Sequence, residues 1–335
     1  MWAGGWTAVT AWPSVGTVIE VREATGPQAS RWQEDWRGRL EAVFGRHDVP
    51  PDWTSGQAAR KLAEYRDAAR GSAYAVTADG QTVGILALML APPDGPPRAA
   101  IADLWIAPPH RRRGHGSAAL RWAESQARSE SARQARLEAG SQAGPLWVSI
   151  DPADPAQAAL FRRYPVRAQA MIKRLHGPGP LPAGLEARPM TEARFAAFRA
   201  EMIRGYAADI ASSGTLPAAE AAVRAATETD QVLPEGLNTP DHTFLCLHAG
   251  AEEVAVNWLC HHREPGASWV YGVEVSERHR GQGYGRAAMI AGEQATLAAG
   301  DTHLSLNVFG SNAVATRLYD SLGYQTVDQS RSIDL

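Results

Sequence analysis

Cysteine is scarce in this chain of 335 residues: Cys246 and Cys260 are the two present. Two thiols exclude a disulfide framework and a cysteine-built zinc site, and they suit a reducing compartment. Lysine is as scarce. Lys61 and Lys173 stand beside a positive charge otherwise carried by arginine. With abundant Ala and Gly, that pattern reads as the coding bias of a high-GC bacterial genome and says nothing of function. An excess of one charge is also missing. Acidic residues number 36 and basic residues 33, for a formal charge of -3, so no global field favours nucleic acid or an anionic membrane. No apolar run approaches the roughly 20 residues that span a bilayer. Residues 1–18 lack the basic start and long apolar stretch of a secretory signal, so the expected location is cytoplasmic. What is present is ordinary for a globular protein: 44% hydrophobic and 21% charged residues, a balance that argues against long disorder. At roughly 150 residues per domain, the length predicts two domains.

Pro and Gly alternate from His176 to Gly184. Neither a helix nor a strand ladder continues through such a run, which reads as a linker. Expected domains are therefore 1–175 and 186–335, joined by 176–185. Both halves follow one plan. Each opens with a strand-like piece (16–21 and 185–188) and two amphipathic helices (33–44 and 55–69; 192–207 and 218–229). Strands follow at 73–76 and 82–90, and again at 243–248 and 253–261. Each half then has an apolar strand, at 99–106 and 268–275, running into a glycine-rich turn and an Ala-rich helix. Repetition of this kind fixes the architecture.

The two turns are Arg111-Arg112-Arg113-Gly114-His115-Gly116 and Arg280-Gly281-Gln282-Gly283-Tyr284-Gly285. Both fit Arg-x-x-Gly-x-Gly between a strand and a helix. Glycine lets the backbone bend tightly and approach a ligand without a Cβ in the way. Free N–H groups of the first helical turn converge there, and the positive helix end adds to them, which suits a pyrophosphate. A single match would be read as an ordinary turn with surface arginines; two at equivalent places reverse that. No Gly-Lys-Ser/Thr follows, so this is not a Walker A loop, and the spacing is not the dinucleotide Gly-x-Gly-x-x-Gly.

Strand, Arg-x-x-Gly-x-Gly and helix together resemble the acetyl-CoA signature of the GNAT acyltransferase superfamily. The second half adds Leu304 to Asn312 and then Ala313 to Tyr324, which resemble that family's strand, its Asn and its Leu-Tyr-x-x-Leu-Gly-Phe/Tyr helix end. The resemblance covers 186–335 and most of 16–175. It implies an α+β fold of two tandem domains, each a twisted, mostly antiparallel sheet flanked by helices, as in mycothiol-synthase-like proteins. It implies acetyl-CoA as cosubstrate, with no metal, and a small-molecule or peptide amine as acceptor. It places the CoA pyrophosphate on Arg280 to Gly285 and the pantetheine beside Val273, Val275, Asn307 and Asn312. Oligomeric state is left open.

Tyr319 matches the family tyrosine that protonates the departing thiolate; the alternative is a core tyrosine on an amphipathic helix. Asn312 precedes that helix and is also a natural cap. Many family members carry a glutamate where this chain has Asn307, and an amide cannot take a proton. Glu274 is the replacement candidate for the base, directly or through a water. Strand alternation sets it on the face opposite Val273 and Val275, where it is equally a solvated residue. His261 and His262 rank second. Trp258 and Trp269 are core or cleft wall. Acceptor recognition is expected within 195–236.

The first half differs. Aligning 155–161 with 313–319 sets Asp154 opposite Asn312, Ser149 opposite Asn307 and Phe161 opposite Tyr319. Phe161 packs as a tyrosine would but has no proton to give. From Gly114 to Asp154 is 40 positions and from Gly283 to Asn312 is 29, and the polar stretch 128–144 is expected to hold the extra residues. The expectation is a catalytic second domain and a degenerate first. The first keeps Arg111, Gly114 and Gly116, so a second CoA there stays open. Two other functions remain: a non-catalytic acyl-CoA sensor or scaffold, and a GNAT-fold enzyme with other thioester chemistry such as decarboxylation.

Overall fold

The structure, a computed structural model, describes residues 18–68, 71–90, 99–137, 144–177, 179–212 and 217–335. Part of the expected first strand (16–17) and part of the expected insertion (138–143) lie outside them. The chain forms two compact units. The first holds residues 1–171 with 307–316 and 325–335; the second holds 172–306 with 317–324.

The first unit begins with β1 (Ile19–Glu23), α1 (Gly26–Phe44) and α2 (Pro51–Asp67). Prolines near both helix starts supply the preset φ that a first turn needs. The Gln28 side chain accepts from the Thr25 N–H at 2.9 Å and so closes the N-terminus of α1. Strands β2 (Gly71–Ala78), β3 (Gln81–Met89) and β4 (Ala99–Ile106) follow, then α3 (His115–Leu137), β5 (Leu146–Ile150), α4 (Pro155–Leu160) and β6 (Val166–Arg174). β1 to β4 pair antiparallel in sequence order, and β4 pairs parallel with β5. The next partner of β5 is the last strand of the chain, β12 (Gln325–Ile333), antiparallel with Gln329 opposite Ile150. The sheet buries both faces. Val76, Leu86, Leu88, Ile101 and Val148 pack with Leu120, Ala123 and Ala127 of α3. Ala73, Ala75, Ile85 and Ala87 pack with Trp32 and Trp36 of α1 and with Leu62 and Tyr65 of α2. The helical spacing of Trp32 and Trp36 foretold this contact. Their rings stack 5.1 Å apart, and Tyr65 meets Trp32 edge-on at 5.0 Å.

The second unit repeats the order. It runs β7 (Leu185–Pro189), α5 (Glu192–Ser212), α6 (Ala218–Val232), β8 (His242–Ala249), β9 (Glu252–Glu264), β10 (Ala267–Val275), α7 (Tyr284–Ala298) and β11 (His303–Phe309), the last of these up to Leu306. α8 (Ala313–Ser321) leads from there to β12. β7 to β10 pair antiparallel, and β10 pairs parallel with β11. Phe195 and Phe198 of α5 pack with Phe244, Val256 and Trp258 on the sheet. Ala287 and Ala288 of α7 pack on Leu247, Val254 and Ala255. Small residues let α7 approach closely: a Cβ on Gly292 would sit 2.5 Å from Asn257 Nδ2, which donates to the Ala288 carbonyl at 2.9 Å. Among the described residues no helix is long and apolar enough to cross a membrane. Each unit is thus a mostly antiparallel sheet with helices on its faces, the α+β fold the sequence implied.

Candidate acyl-transfer sites

Both glycine-rich turns fold alike. Gly281 and Gly283 have φ of +77° and +87°, and in the first unit Arg112 and Gly114 have +62° and +85°. That region excludes most side chains, so Arg112 holds a strained conformation where the second turn has a glycine. Ahead of the turn, Arg280 Nε donates to the carbonyl of Val275 at 3.4 Å, and Arg111 Nε to that of Ile106 at 2.8 Å. Each arginine thereby ties its turn to the end of the preceding strand. The first intrahelical bonds run from Ala287 to Gly283 and from Ala118 to Gly114. Backbone N–H groups before them, including those of Tyr284 and Gly285, have no helical acceptor and face one point beyond the helix end. Gln282 folds back onto the Arg278 carbonyl at 3.3 Å, and Tyr284 packs edge-on against His279. The last glycine of the second turn is needed for close packing, whereas that of the first makes only ordinary contact. A Cβ on Gly285 would lie 3.2 Å from Leu318 of α8, and one on Gly116 would lie 3.6 Å from Leu160 of α4. An open cradle at Gly283, with nothing within 4 Å of a built Cβ, and free amides beside it fit a pyrophosphate.

A cleft needs two strands that part, and each parallel pair does so early. β10 and β11 pair only from Ala267 opposite His303 to Val270 opposite Leu306. Tyr271 follows that last pair; its ring stacks on Trp258 at 4.4 Å, and burial raises its phenol pKa. Glu274 lies farther along β10, opposite Val256, with its side chain exposed, while Val273 and Val275 pack toward the α7-side core. Asn307 is exposed on β11, and it and Asn312 are part of the first compact unit. Asn312 Oδ1 accepts from the Ala315 N–H at 3.0 Å, so Asn312 caps α8. Tyr319, on that helix, is half-buried, 5.9 Å ring to ring from Tyr324. Burial raises its phenol pKa, so it keeps its proton at neutral pH.

His261 is far from a free base. Its Nδ1 and Nε2 lie 2.8 Å from Ser268 Oγ and 2.9 Å from Thr243 Oγ1, and Ser268 Oγ donates to Asp301 at 2.7 Å. Ser268 has one proton and gives it to Asp301, so His261 donates through Nδ1 and accepts through Nε2. Burial lowers its pKa, and the ring pins β9 to β10. His262 is held by Asp301 through its backbone N–H at 2.8 Å and through Nδ1 at 3.1 Å. Trp258 is buried and donates to His242 Nδ1 at 2.8 Å. It serves as core and, through Tyr271, as backing for the parting strands.

Two features escaped the sequence reading. One is a matched pair of buried carboxylates, ten residues after Gly114 and Gly283. Glu124 accepts from the Tyr164 hydroxyl at 2.8 Å and from Arg163 at 2.5 Å. Glu293 accepts from Lys173 at 2.7 Å and from the Tyr324 hydroxyl at 3.2 Å. The signal was an acid on the apolar face of each Ala-rich helix. The other is a cavity of about 60 Å3 in the first unit, where β4 and β5 part after Ile101 and Val148. Asp103, Lys61, Ser149, Asp328 and Phe161 line it. Asp103 accepts from Trp32 Nε1 at 2.8 Å and pairs with Arg39. Burial pushes its carboxyl pKa up against the opposing pull of Arg39. A lone acid in the apolar run of β4 was the available sign. Phe161 is buried and edge-on to Tyr164 at 5.4 Å, and Asp154 caps α4, accepting from Ala156 N–H at 2.8 Å.

A model of the acetyltransferase (GNAT) family matches residues 33–144 and again 216–324. The uncharacterised N-acetyltransferase YycN of Bacillus subtilis is 31% identical over 144 residues, which is 42% of this chain and 92% of that protein. A second B. subtilis protein of the same description, YdgE, is 27% identical over 139 residues, 40% of this chain and 88% of that one. Over the whole length, a GCN5-related N-acetyltransferase from Sphaerobacter thermophilus superposes with a TM-score of 0.55 at 17% identity, covering 94% of this chain and 95% of that one; this likeness speaks to the fold alone.

Proposed function

The chain belongs to the acetyltransferase (GNAT) family, and from that premise we propose that its second half moves an acetyl group from acetyl-CoA to a primary amine of a small molecule or peptide. The observation that carries this reading is the protonated, half-buried Tyr319 on a helix whose packing reaches the glycine-rich turn through Leu318 and Gly285.

In this reading the amides at Gly283 to Gly285 hold the CoA pyrophosphate, and Arg280, Gly281 and Gln282 shape that cradle. Val273 and Val275 of the second unit lie along the pantetheine. Most of the rate comes from fixing amine and thioester together. Glu274, exposed on β10, takes the amine proton directly or through a water, which its solvation permits. The amine attacks the carbonyl carbon, the C–S bond breaks, and Tyr319 gives its proton to the thiolate. Burial keeps Tyr319 protonated until the thiolate forms, at the cost of making it a weaker acid, and the phenolate left behind regains its proton from solvent. The first half, 1–175, keeps the turn at Arg111, Gly114 and Gly116 but has Phe161 in place of the hydroxyl, so it runs no such cycle on free amines. A cytoplasmic setting, with its acetyl-CoA, fits this activity.

The test is release of CoA thiol from acetyl-CoA with and without added polyamine, amino sugar and lysine-bearing peptide. Release that requires one of these amines and falls sharply in Tyr319→Phe is expected. Binding of acetyl-CoA with no amine-dependent release would make the protein a sensor. Thiol release that ignores the amine would point to other thioester chemistry.

A further inference from the structure

Lys61 and Lys173 are the two lysines of this chain, and their surroundings can be compared directly. Each ammonium is paired with a carboxylate, Lys61 with Asp328 at 2.6 Å and Lys173 with Glu293 at 2.7 Å, and each side chain is 22% exposed. Their positions differ. Lys173 packs over the Tyr324 ring, 5.6 Å from its centroid. Lys61 reaches from α2 into the first unit's cavity. Its Nζ donates to Ser149 Oγ at 2.5 Å, and Ser149 is the residue of β5 just past the last pair with β4, Val148 opposite Ile101. A primary amine thus stands where the strands part, in the unit that keeps a full phosphate-type turn at the start of α3.

We propose that Lys61 is an internal acceptor: the first unit transfers an acetyl group from acetyl-CoA to its own Lys61. This rests on the reading that the turn from Arg111 to Gly116 binds acetyl-CoA. The Lys61 ammonium gives one proton to Asp328, which passes it to solvent. The neutral Nζ attacks the thioester carbonyl, the N–C bond forms and the C–S bond breaks. One of the two protons left on Nζ goes to the CoA thiolate, and the other stays as the amide N–H. The products are Nε-acetyl-Lys61, CoA thiol and one proton released to water. It is one turnover, which asks for no recycled proton donor, and it is compatible with phenylalanine at position 161. Loss of the ammonium removes the Lys61–Asp328 ion pair, which anchors α2 to β12.

Full-length protein is incubated with acetyl-CoA, digested, and both lysine-bearing peptides are weighed over time. Lys173, with equal side-chain exposure and a carboxylate partner of its own, is the control for uncatalysed acetylation. The expected result is one acetyl group on Lys61, formed about tenfold or more faster than any on Lys173. Excess free CoA should suppress it, Gly116→Val should slow it, and Gly283→Val should leave it intact. No acetyl on Lys61, equal rates at the two lysines, or indifference to free CoA would overturn the proposal. So would loss of the mark in Gly283→Val, since the acetyl group would then come from the second turn. Calorimetric titration of acetyl-CoA into the same proteins separates the two failures. Two sites with no mark on Lys61 reject the internal acceptor alone, whereas one site, lost in Gly283→Val, rejects acetyl-CoA binding by the first turn and the internal acceptor with it. Folding of Gly116→Val is checked by circular dichroism, and Lys61→Arg, which keeps the charge, must abolish the mark.

Discussion

Phe161 and Tyr319 sit at matching places after the two glycine-rich turns, each against a second tyrosine, 5.4 Å from Tyr164 and 5.9 Å from Tyr324. One oxygen separates them, yet their surroundings diverge further. The first half encloses its parting strands with Asp103, Lys61 and Asp328, all ion-paired. The second leaves Glu274 exposed on its strand. What the halves share is set by backbone demands: left-handed turns, capped helices, and a buried glutamate under a tyrosine hydroxyl. What they do not share is side-chain chemistry at the cleft. A duplicated scaffold constrains its hinges and pins, and leaves the groups facing a ligand to diverge.

Substitutions in both halves test that contrast. The largest effect belongs to Tyr319→Phe. Losing the proton donor should cut turnover by about 10²- to 10³-fold, with acetyl-CoA affinity by calorimetry nearly unchanged. Near-normal turnover would remove Tyr319 as the acid. Next come the pins. Glu293→Ala and Glu124→Ala each strand buried partners and should cost about 3 kcal/mol by denaturant titration. The loss should be greater at Glu293, whose partner Lys173 is 22% exposed against 54% for Arg163. Equal losses would mean that burial of the cation is irrelevant.

A smaller effect of opposite sign is expected at the turn. Arg112→Gly relieves a φ of +62° and should stabilise by up to about 1 kcal/mol, the strain outweighing the entropy of a new glycine. The reverse change, Gly281→Ala, should destabilise by a similar amount. The same sign for both changes would show that the two turns differ in more than sequence. The smallest effect concerns pH. Burial lowers the pKa of His115 in the first unit and His261 in the second. Groups lowered in the folded state contribute stability that is fully present above the unfolded value, near 6.5. That stability is lost as pH falls through the folded value. Melting temperature should therefore hold steady above pH 6.5 and decline below it, and His261→Gln should flatten the decline. A decline unchanged in that variant would assign it to other groups.

The duplication, the two turns, the helix caps and the hydroxyl that distinguishes the halves were all legible in the amino-acid sequence. These depend on short-range rules: glycine tolerance of positive φ, Pro at helix starts, Asn and Asp side chains reaching the next N–H groups. Strand alternation likewise set Glu274 opposite Val273 and Val275. The fold alone settled that β12, the last strand of the chain, pairs with β5 in the first unit, because long-range strand pairing is encoded by no local pattern. It also decided that His261 is locked between Ser268 and Thr243, since hydrogen-bond partners come from elements distant in sequence. Glu124 and Glu293 read locally as helix acids; their roles appear only when Tyr164 and Tyr324 close over them. Lys61 looked like a residue of compositional bias until α2, β5 and β12 came together around its ammonium.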